Sequence, residues 1–438
     1  MARRFVKKRT HRFRFTNEAG ESSSYVLIFG DEVSTSTVPA PSGGSYRSVR
    51  YRGRLGEWVP PPLSTQRPTE MYFLDVGQGD AAFIVTPNDT KILVDGGLQE
   101  IALGFLIWKY RLDVGSNQVV IDHLFLSHAD KDHVEGLIPV LRHPRITVRN
   151  IYHNGIGLFD SGFNTKIGQR SGGRLTTVHS STHDLHNLDL ASGRGAAFAK
   201  WITAVRATNA HYERLDRSRG VLDVGDPDIQ VEITGPIHDP SDGSLPWMRD
   251  VAHTINGNSL TFRYTHGNVR AFFSGDLNIE GSAALLAPPD GPLNVNAHIL
   301  KAPHHGSHEF SEELFAAVHP MITVISSGEV PDHGHPRANF LGTIGRSGRG
   351  PEPLVFSTEL AALFVDTHDP EAVAAAGSGD SLDSITFAEA QAAEAHQRFK
   401  KVLPGIINVR TDGEAMYAFR RVQQGYQWES YGPIHPVV

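Results

Sequence analysis

The sequence predicts an α/β protein, and three observations carry that prediction. Apolar, β-rich runs recur from Met71 onward, at MYFLDV, AAFIV, KILVDGG and VIDHLFLSH. The last of these runs straight into VEGLIPVLRH, whose apolar residues fall at helical spacing. Several runs end in clusters of His and Asp, as strands do when they deliver loops to one rim of an α/β scaffold.

Composition narrows the function classes. The 438 residues are 39% hydrophobic and 20% charged, enough to bury a large core in one big domain with appendages or in two domains. There is no cysteine, so imidazole, carboxylate, amide or water would have to hold any metal. A net charge of −7 gives no general attraction to nucleic acid. The charge is uneven, however: MARRFVKKRTHRFR carries seven Lys or Arg and no acid. This basic arm resembles nucleic-acid-binding arms, with an unstructured solubilising tail as the other explanation. The sequence shows neither an 18-residue apolar run nor the apolar stretch of a signal peptide. The expectation is a cytoplasmic protein with no membrane partner.

Taken in order, residues 1–67 read as a separate small β unit. SYVLIFGDEVSTSTV and YRSVRYRGRLGEWVPPP alternate apolar and polar residues between Gly, Ser and Pro breaks, and their pairing resembles small SH3-like barrels. PPPLSTQRP is a stiff, extended linker. The second unit is expected over 68–438. Its first three β runs include a hairpin turned at PND. Residues 153–228, rich in glycine and polar groups, read as an insertion with one helix, GAAFAKWITAVRATNAHYERLDR. Strands resume at IQVEITGPI, NSLTFRYTHGNVRAFFSGD, AHILKAPHHGS and MITVISSG. After a Gly/Arg loop come LVFST, an Ala-rich acidic insertion at about 366–396, GIINVRTDG and AMYAFRRV.

The chemistry concentrates in SHADKDHVEG. His128 and Asp130, two residues apart, share one face of an extended segment, and Asp132 and His133 follow in the turn. That spacing suits two adjacent cations, one on each pair. The competing explanation is a solvated loop in which Asp130 or Asp132 caps the helix. Further polar groups stand just past other strand ends: Asp276 after RAFFSG, His304, His305 and His308 in KAPHHGSH, and His335 in PDHGHP. Such convergence marks an active site better than any one cluster does.

The ordered set FLDVGQGDA, ILVDGG, SHADKDHVEG, NGNSLTFRY, FFSGD, LKAPHHGS and GHP resembles the metallo-β-lactamase superfamily. Within it the set is most similar to the hydrolase domain of the DNA-uptake protein ComEC and its stand-alone relatives. The match runs from about Met71 to Arg346, with GIINVRTDG as a later echo. The resemblance implies a four-layer αβ/βα sandwich with a dinuclear site of two divalent cations, Zn or Mn, on one edge. In that branch an Asp stands where the wider family has its second histidine. Asp130 therefore matches a family feature, and it makes the site oxygen-rich, which suits Mn²⁺ as well as Zn²⁺.

Carried over residue by residue, the resemblance assigns His128, Asp130, Asp132, His133, Asp276 and the His304/His305 pair to metal. Asp276 bridges the two cations, and His304 is favoured over His305 as ligand. The family's further histidine is missing; HTINGNSL offers Asn258 in its place, with His253 or the loop histidine His153 as fallbacks. Asp95 would orient the cluster through hydrogen bonds, while Asp80 would fix a turn or touch the site. The implied activity is metal-dependent phosphodiester hydrolysis, foremost as a nuclease acting on DNA or RNA. Two metals about 3.5–4 Å apart would hold a hydroxide for in-line attack, with His335 or Lys301 steadying the phosphate or the leaving oxygen. One alternative is a small phosphodiester, a cyclic nucleotide or phosphocholine-type ester. Another is a non-catalytic binding module with a structural metal and a protein partner on the N-terminal β unit.

Overall fold

The computed structural model describes residues 2–17, 20–39, 45–52, 54–57, 63–160, 166–190, 196–289, 291–328, 334–350, 353–358, 405–421 and 428–437. The expected acidic insertion at 366–396 lies outside them. Two mixed sheets face each other. The first runs, in spatial order, His211–Arg214, Ile146–His153, Val119–Leu126, Lys91–Val94, Ala82–Val85, Thr69–Phe73, Ile407–Thr411, Met416–Arg421 and Trp428–Ile434. Its first four strands are parallel and the rest antiparallel. The second sheet runs Val221–Leu222, Ile229–Gly235, Thr261–His266, Val269–Phe273, Ile299–Lys301, Ile322–Ile325 and Leu354–Ser357. Here the last four strands are parallel.

The apolar residues that read as continuous runs are buried on both sheet faces, as parallel strands require. Met71, Phe73, Ile84 and Phe125 of the first sheet pack against Val231, Phe262, Phe273 and Ile299 of the second. The outer face of the first sheet is covered by the helices Ile101–Tyr110, Leu137–Arg142 and Ala197–Arg206. Helices Ile279–Leu286, Glu312–Val318 and Ala338–Ser347 cover the second. The result is the expected four-layer αβ/βα sandwich. The helix expected over 195–217 is shorter: it stops at Arg206, and His211–Arg214 joins the sheet edge as a strand. Among the described residues no helix is long and apolar enough to cross a membrane.

The described residues between 2 and 64 form a third, wholly antiparallel sheet of seven strands. The basic N-terminal segment is not an arm. Ala2–Val6 and Thr10–Thr16 are strands of this sheet. The physical reason is the alternation Arg12-Phe13-Arg14-Phe15: both phenylalanines are buried in the unit's own core and both arginines are exposed. Each buried phenylalanine contributes roughly 1.5–3 kcal/mol, which outweighs the repulsion among exposed cations.

A buried charge network ties this unit to the sandwich. Arg410 donates to the Phe29 carbonyl at 2.6 Å, to Asp31 at 2.9 Å and to the Tyr72 hydroxyl at 3.0 Å. Glu70 accepts from Tyr72 at 2.5 Å, Arg67 at 2.7 Å and Lys109 at 2.9 Å. Burial alone would raise the Glu70 pKa, but Lys109, Arg410 and Arg67 outweigh it and hold the carboxyl well below its usual range. Arg3 and Arg67 also approach Asp89, at the tip of the Ala82–Lys91 hairpin, to 3.8 and 3.4 Å. The N-terminal sheet therefore docks at the end of the sandwich opposite the strand ends that carry the His/Asp clusters.

Candidate metal centre

Both sheets deliver polar groups from the C-terminal ends of their parallel strands to one rim, where ligands bind in open α/β sheets. Lys91–Val94 leads to Asp95, Val119–Leu126 to Ser127 and His128, Val269–Phe273 to Asp276, and Ile299–Lys301 to His304 and His305. Asp276 is the hub. Its Oδ2 lies 3.0 Å from His305 Nε2, 3.3 Å from His133 Nε2 and 3.9 Å from His128 Nε2. Asp130 approaches His128 Nε2 to 3.6 Å, and Asp132 approaches His305 Nε2 to 3.4 Å. Asp130 begins the short helix Lys131–Val134 without a side-chain capping hydrogen bond, so the capping explanation fails for it.

The hydrogen bonds around the rings decide which nitrogen faces the cluster. His305 Nδ1 lies 3.1 Å from the Ser326 carbonyl, which can only accept, so Nδ1 carries the proton. His133 Nδ1 donates in the same way to Asp95 Oδ2 at 3.0 Å. Ser127 Oγ donates to Asp95 at 2.7 Å and accepts from His128 Nδ1 at 2.9 Å. Each ring in its neutral form therefore presents an Nε2 lone pair to the others. Those of His133 and His305 stand 3.4 Å apart, which two lone pairs do not do without a positive charge between them. His128 Nε2 and Asp276 Oδ1 are buried with no hydrogen-bond partner. Donor type, orientation and unpaired atoms together fit divalent cations.

Electrostatics says the same. Burial would raise the pKa values of Asp132 and Asp276, yet the facing histidines hold both well below the usual carboxylate range. Burial would likewise lower His133 and His305, but Asp276 with Asp95 or Asp80 raises both well above the ordinary imidazole value. The carboxylates demand positive charge at this point, and protons on the rings are the substitute the chain itself supplies. Asp80, His133, Asp276 and His305 offer ligand atoms that all lie within 4.8 Å of one another, as those of the half-buried group His253, Glu280 and Glu309 also do.

Several sequence expectations change here. His305, not His304, turns into the cluster. Both residues hold left-handed backbone angles, φ 47° and 54°, so the two rings diverge. His304 lines a neighbouring cleft, its Nε2 3.4 Å from the Asn256 amide. Burial lowers its pKa, and its Nδ1 has no hydrogen-bond partner. Asn258 is not brought to the cluster: its amide donates to the carbonyls of Pro246 and Thr254 at 2.9 and 2.8 Å. His253 stands at the mouth of the cleft beside Asp250 and Glu309. His153 packs against Phe198 and Trp201 instead.

Lys301 is 4% exposed and pairs with Asp80, with Asp276 Oδ1 3.8 Å away. It faces the core side of the cluster and cannot reach a substrate phosphate. His335 does stand at the site, its ring stacked 6.4 Å from that of His305. Asp95 accepts three hydrogen bonds, two from Ser127 and one from His133, from a left-handed backbone position at φ 56°.

Sequence reasoning undervalued Asp80, which contacts both Lys301 and His305 Nδ1, the latter at 3.3 Å. Its signal was the glycine before it. Gly79 has φ 117°, and a Cβ there would come within 2.1 Å of the Asp132 carbonyl. Only glycine lets the GQGD turn approach the metal loop that closely.

Comparison with known proteins agrees with this geometry. The family described as the metallo-beta-lactamase superfamily matches residues 74–319, more than half of the chain. ComE operon protein 3 of Bacillus subtilis (strain 168) is 23% identical over 300 residues, covering 65% of this chain and 31% of its own length. The chain thus spans about a third of that relative. Among solved structures, a metallo-β-lactamase of Cronobacter sakazakii is similar at a TM-score of 0.29 and 14% identity, covering 75% of this chain and 91% of its own. A mutant of CmlA beta-hydroxylase is similar at a TM-score of 0.35 and 13% identity, covering 67% of this chain and 52% of its own.

Proposed function

The chain belongs to the metallo-beta-lactamase superfamily of metal-dependent hydrolases, and from that premise we propose that it is a phosphodiesterase cleaving nucleic acid. The observation that carries this reading is the donor set. Three carboxylates, Asp130, Asp132 and Asp276, meet three imidazole nitrogens at the head of a cleft whose wall carries the polar side chains of Asn256, His304 and His335. Oxygen-rich sites favour hard cations of the kind that serve phosphate chemistry.

His128, Asp130, Asp132, His133, His305 and the central Asp276 would hold the metal. Divalent cations supply Lewis-acid activation of water and neutralise phosphate charge. The chain's own groups do the rest. Asp95, Ser127 and the Ser326 carbonyl fix the proton of each liganding ring at Nδ1, so that no ring turns away during the reaction. Buried Lys301, paired with Asp80, offsets part of the carboxylate charge from behind. On the cleft side, His304 lines the wall and His335 is the proton donor to the leaving oxygen. Among the described residues the cleft lining contains no Phe, Tyr or Trp, which disfavours a phosphocholine ester, whose quaternary ammonium calls for a cage of such rings.

The test is hydrolysis of labelled plasmid, single-stranded DNA, RNA and bis-p-nitrophenyl phosphate with Mn²⁺, Zn²⁺ or chelator. Cleavage that needs metal is expected. A protein that hydrolyses none of the four with either metal refutes the reading.

A further inference from the structure

We infer that Arg337 binds the phosphate next to the scissile one, and so makes the cleft select a polynucleotide strand over an isolated diester. The inference rests on the phosphodiesterase reading and adds the substrate feature that the cleft measures. The cleft encloses about 360 Å³ beside the metal centre. Its walls include His253, Asn256, His304, Glu309, His335 and Arg337. Among the described residues no wall residue is Phe, Tyr or Trp, so the cleft draws from these none of the stacking platforms with which single-strand binders hold bases. What it offers instead are hydrogen-bond donors, and these suit a sugar-phosphate backbone.

Within that wall Arg337 has no ion-pair partner among the described residues. Its Nε is buried and has no hydrogen-bond partner. The acid sharing the wall, Glu309, is already engaged by Arg249 at 3.0 Å, and Arg249 also approaches Glu280 to 3.8 Å. A guanidinium left unpaired beside a hydrolytic centre is matched by a planar or tetrahedral oxyanion, which it binds with two parallel hydrogen bonds.

The backbone fixes where that anion would sit. Arg337 N donates to the Gly306 carbonyl at 2.8 Å, tying it to the residue directly after the cluster's His305. Ser327 Oγ donates to the His335 carbonyl at 2.7 Å and pins the approach to it from the other side. Arg337 thus stands in the cleft wall beside the cluster without being one of its ligands, so the phosphate that falls to it is the next one along the cleft.

The experiment compares a dinucleoside monophosphate, which has one phosphate, with a trinucleoside diphosphate, which has two. Bis-p-nitrophenyl phosphate serves as the small diester, and all three are measured with Mn²⁺. Wild type should prefer the two-phosphate substrate in kcat/KM by about tenfold or more, as one charge-assisted pair provides. Arg337→Ala should erase that preference through KM while turnover of the small diester stays unchanged. Arg337→Lys should restore part of it. Fluorescence anisotropy of the labelled trinucleotide with chelator-treated protein should show the same weakening without any turnover.

Equal use of the two oligonucleotides by wild type overturns the inference and leaves the phosphodiesterase reading standing. A parallel loss on bis-p-nitrophenyl phosphate in Arg337→Ala also overturns it, because the residue would then only hold the site together. Failure of wild type to hydrolyse any of the three substrates would sink the phosphodiesterase reading itself.

Discussion

Replacing Asp95 by Asn should strip the centre of metal while leaving the fold in place. The wild-type carboxylate is 1% exposed and accepts from Ser127 N and Ser127 Oγ at 2.7 Å each and from His133 Nδ1 at 3.0 Å. An asparagine keeps one oxygen for the Ser127 amide. Its NH₂ then points at the two groups that formerly donated. The serine hydroxyl can rotate, but His133 must accept at Nδ1 and so move its proton to Nε2. Asp276, 3.3 Å from that nitrogen, welcomes the proton. The nitrogen meant for metal is then occupied.

Outer hydrogen-bond partners of this kind are worth about 10–100-fold in metal affinity, equivalent to roughly 1.4–2.7 kcal/mol. Loss of a charged acceptor should cost the metal-free fold about 1–3 kcal/mol more. Backbone strain does not contribute, because asparagine tolerates the left-handed region well. Isothermal titration of chelator-treated protein with Mn²⁺ and Zn²⁺, together with thermal melts, measures both terms. An Asp95→Asn variant that binds metal as tightly as wild type refutes the tautomer argument.

Four other outcomes are expected. Asp276→Ala should abolish hydrolysis and lower metal content, since it removes the carboxylate shared by all three rings; full activity in the metal-stripped variant would rule out a metal centre there. Asp130→Ala should cost far more activity than Asp130→His, and the His variant should shift preference toward Zn²⁺; equal activity in both would show that Asp130 holds no metal. Glu70 has a pKa lowered on folding, so its stabilisation is present above its unfolded value of about 4.5 and is lost as pH falls below it. Urea titrations at neutral and acid pH should therefore show wild type losing stability more steeply than Glu70→Gln, and parallel losses would contradict the network. Finally, if the exposed face of the N-terminal sheet tracks a phosphate backbone, Arg12→Ala with Arg14→Ala should reduce the salt slope of polynucleotide binding by about 2. An unchanged slope would remove that face from the interface.

The architecture was legible because it rests on patterns that local sequence carries. Runs such as FLDV and AFIV have to be buried on both faces, and SHADKDH follows such a run directly. His128, Asp132, His133 and Asp276 could be picked out for the same reason, since each follows a strand end within a few residues. The order of His304 and His305 was not legible, because two left-handed residues in succession decide which ring faces inward. Lys301 misled for a related reason: a cation at a strand end reads as a substrate contact until its burial beneath Asp80 is known. At the N-terminus the count of basic residues obscured the alternation with Phe13 and Phe15 that makes the segment a strand. Asn258 matched by position, but its amide is used up by two carbonyls that no sequence pattern announces.

The His304–His305 pair has a consequence for the order of events on this protein. One peptide unit joins a ring that faces the metal to a ring that faces the cleft, and both residues hold backbone angles that L-amino acids seldom adopt. Cation occupancy at His305 and substrate occupancy at His304 therefore draw on the same turn. By thermodynamic reciprocity, whatever the cation adds to the affinity for substrate the substrate must return to the affinity for the cation. The protein should thus fill its cleft more tightly once charged with metal, and should hold its metal most firmly when substrate lies across it.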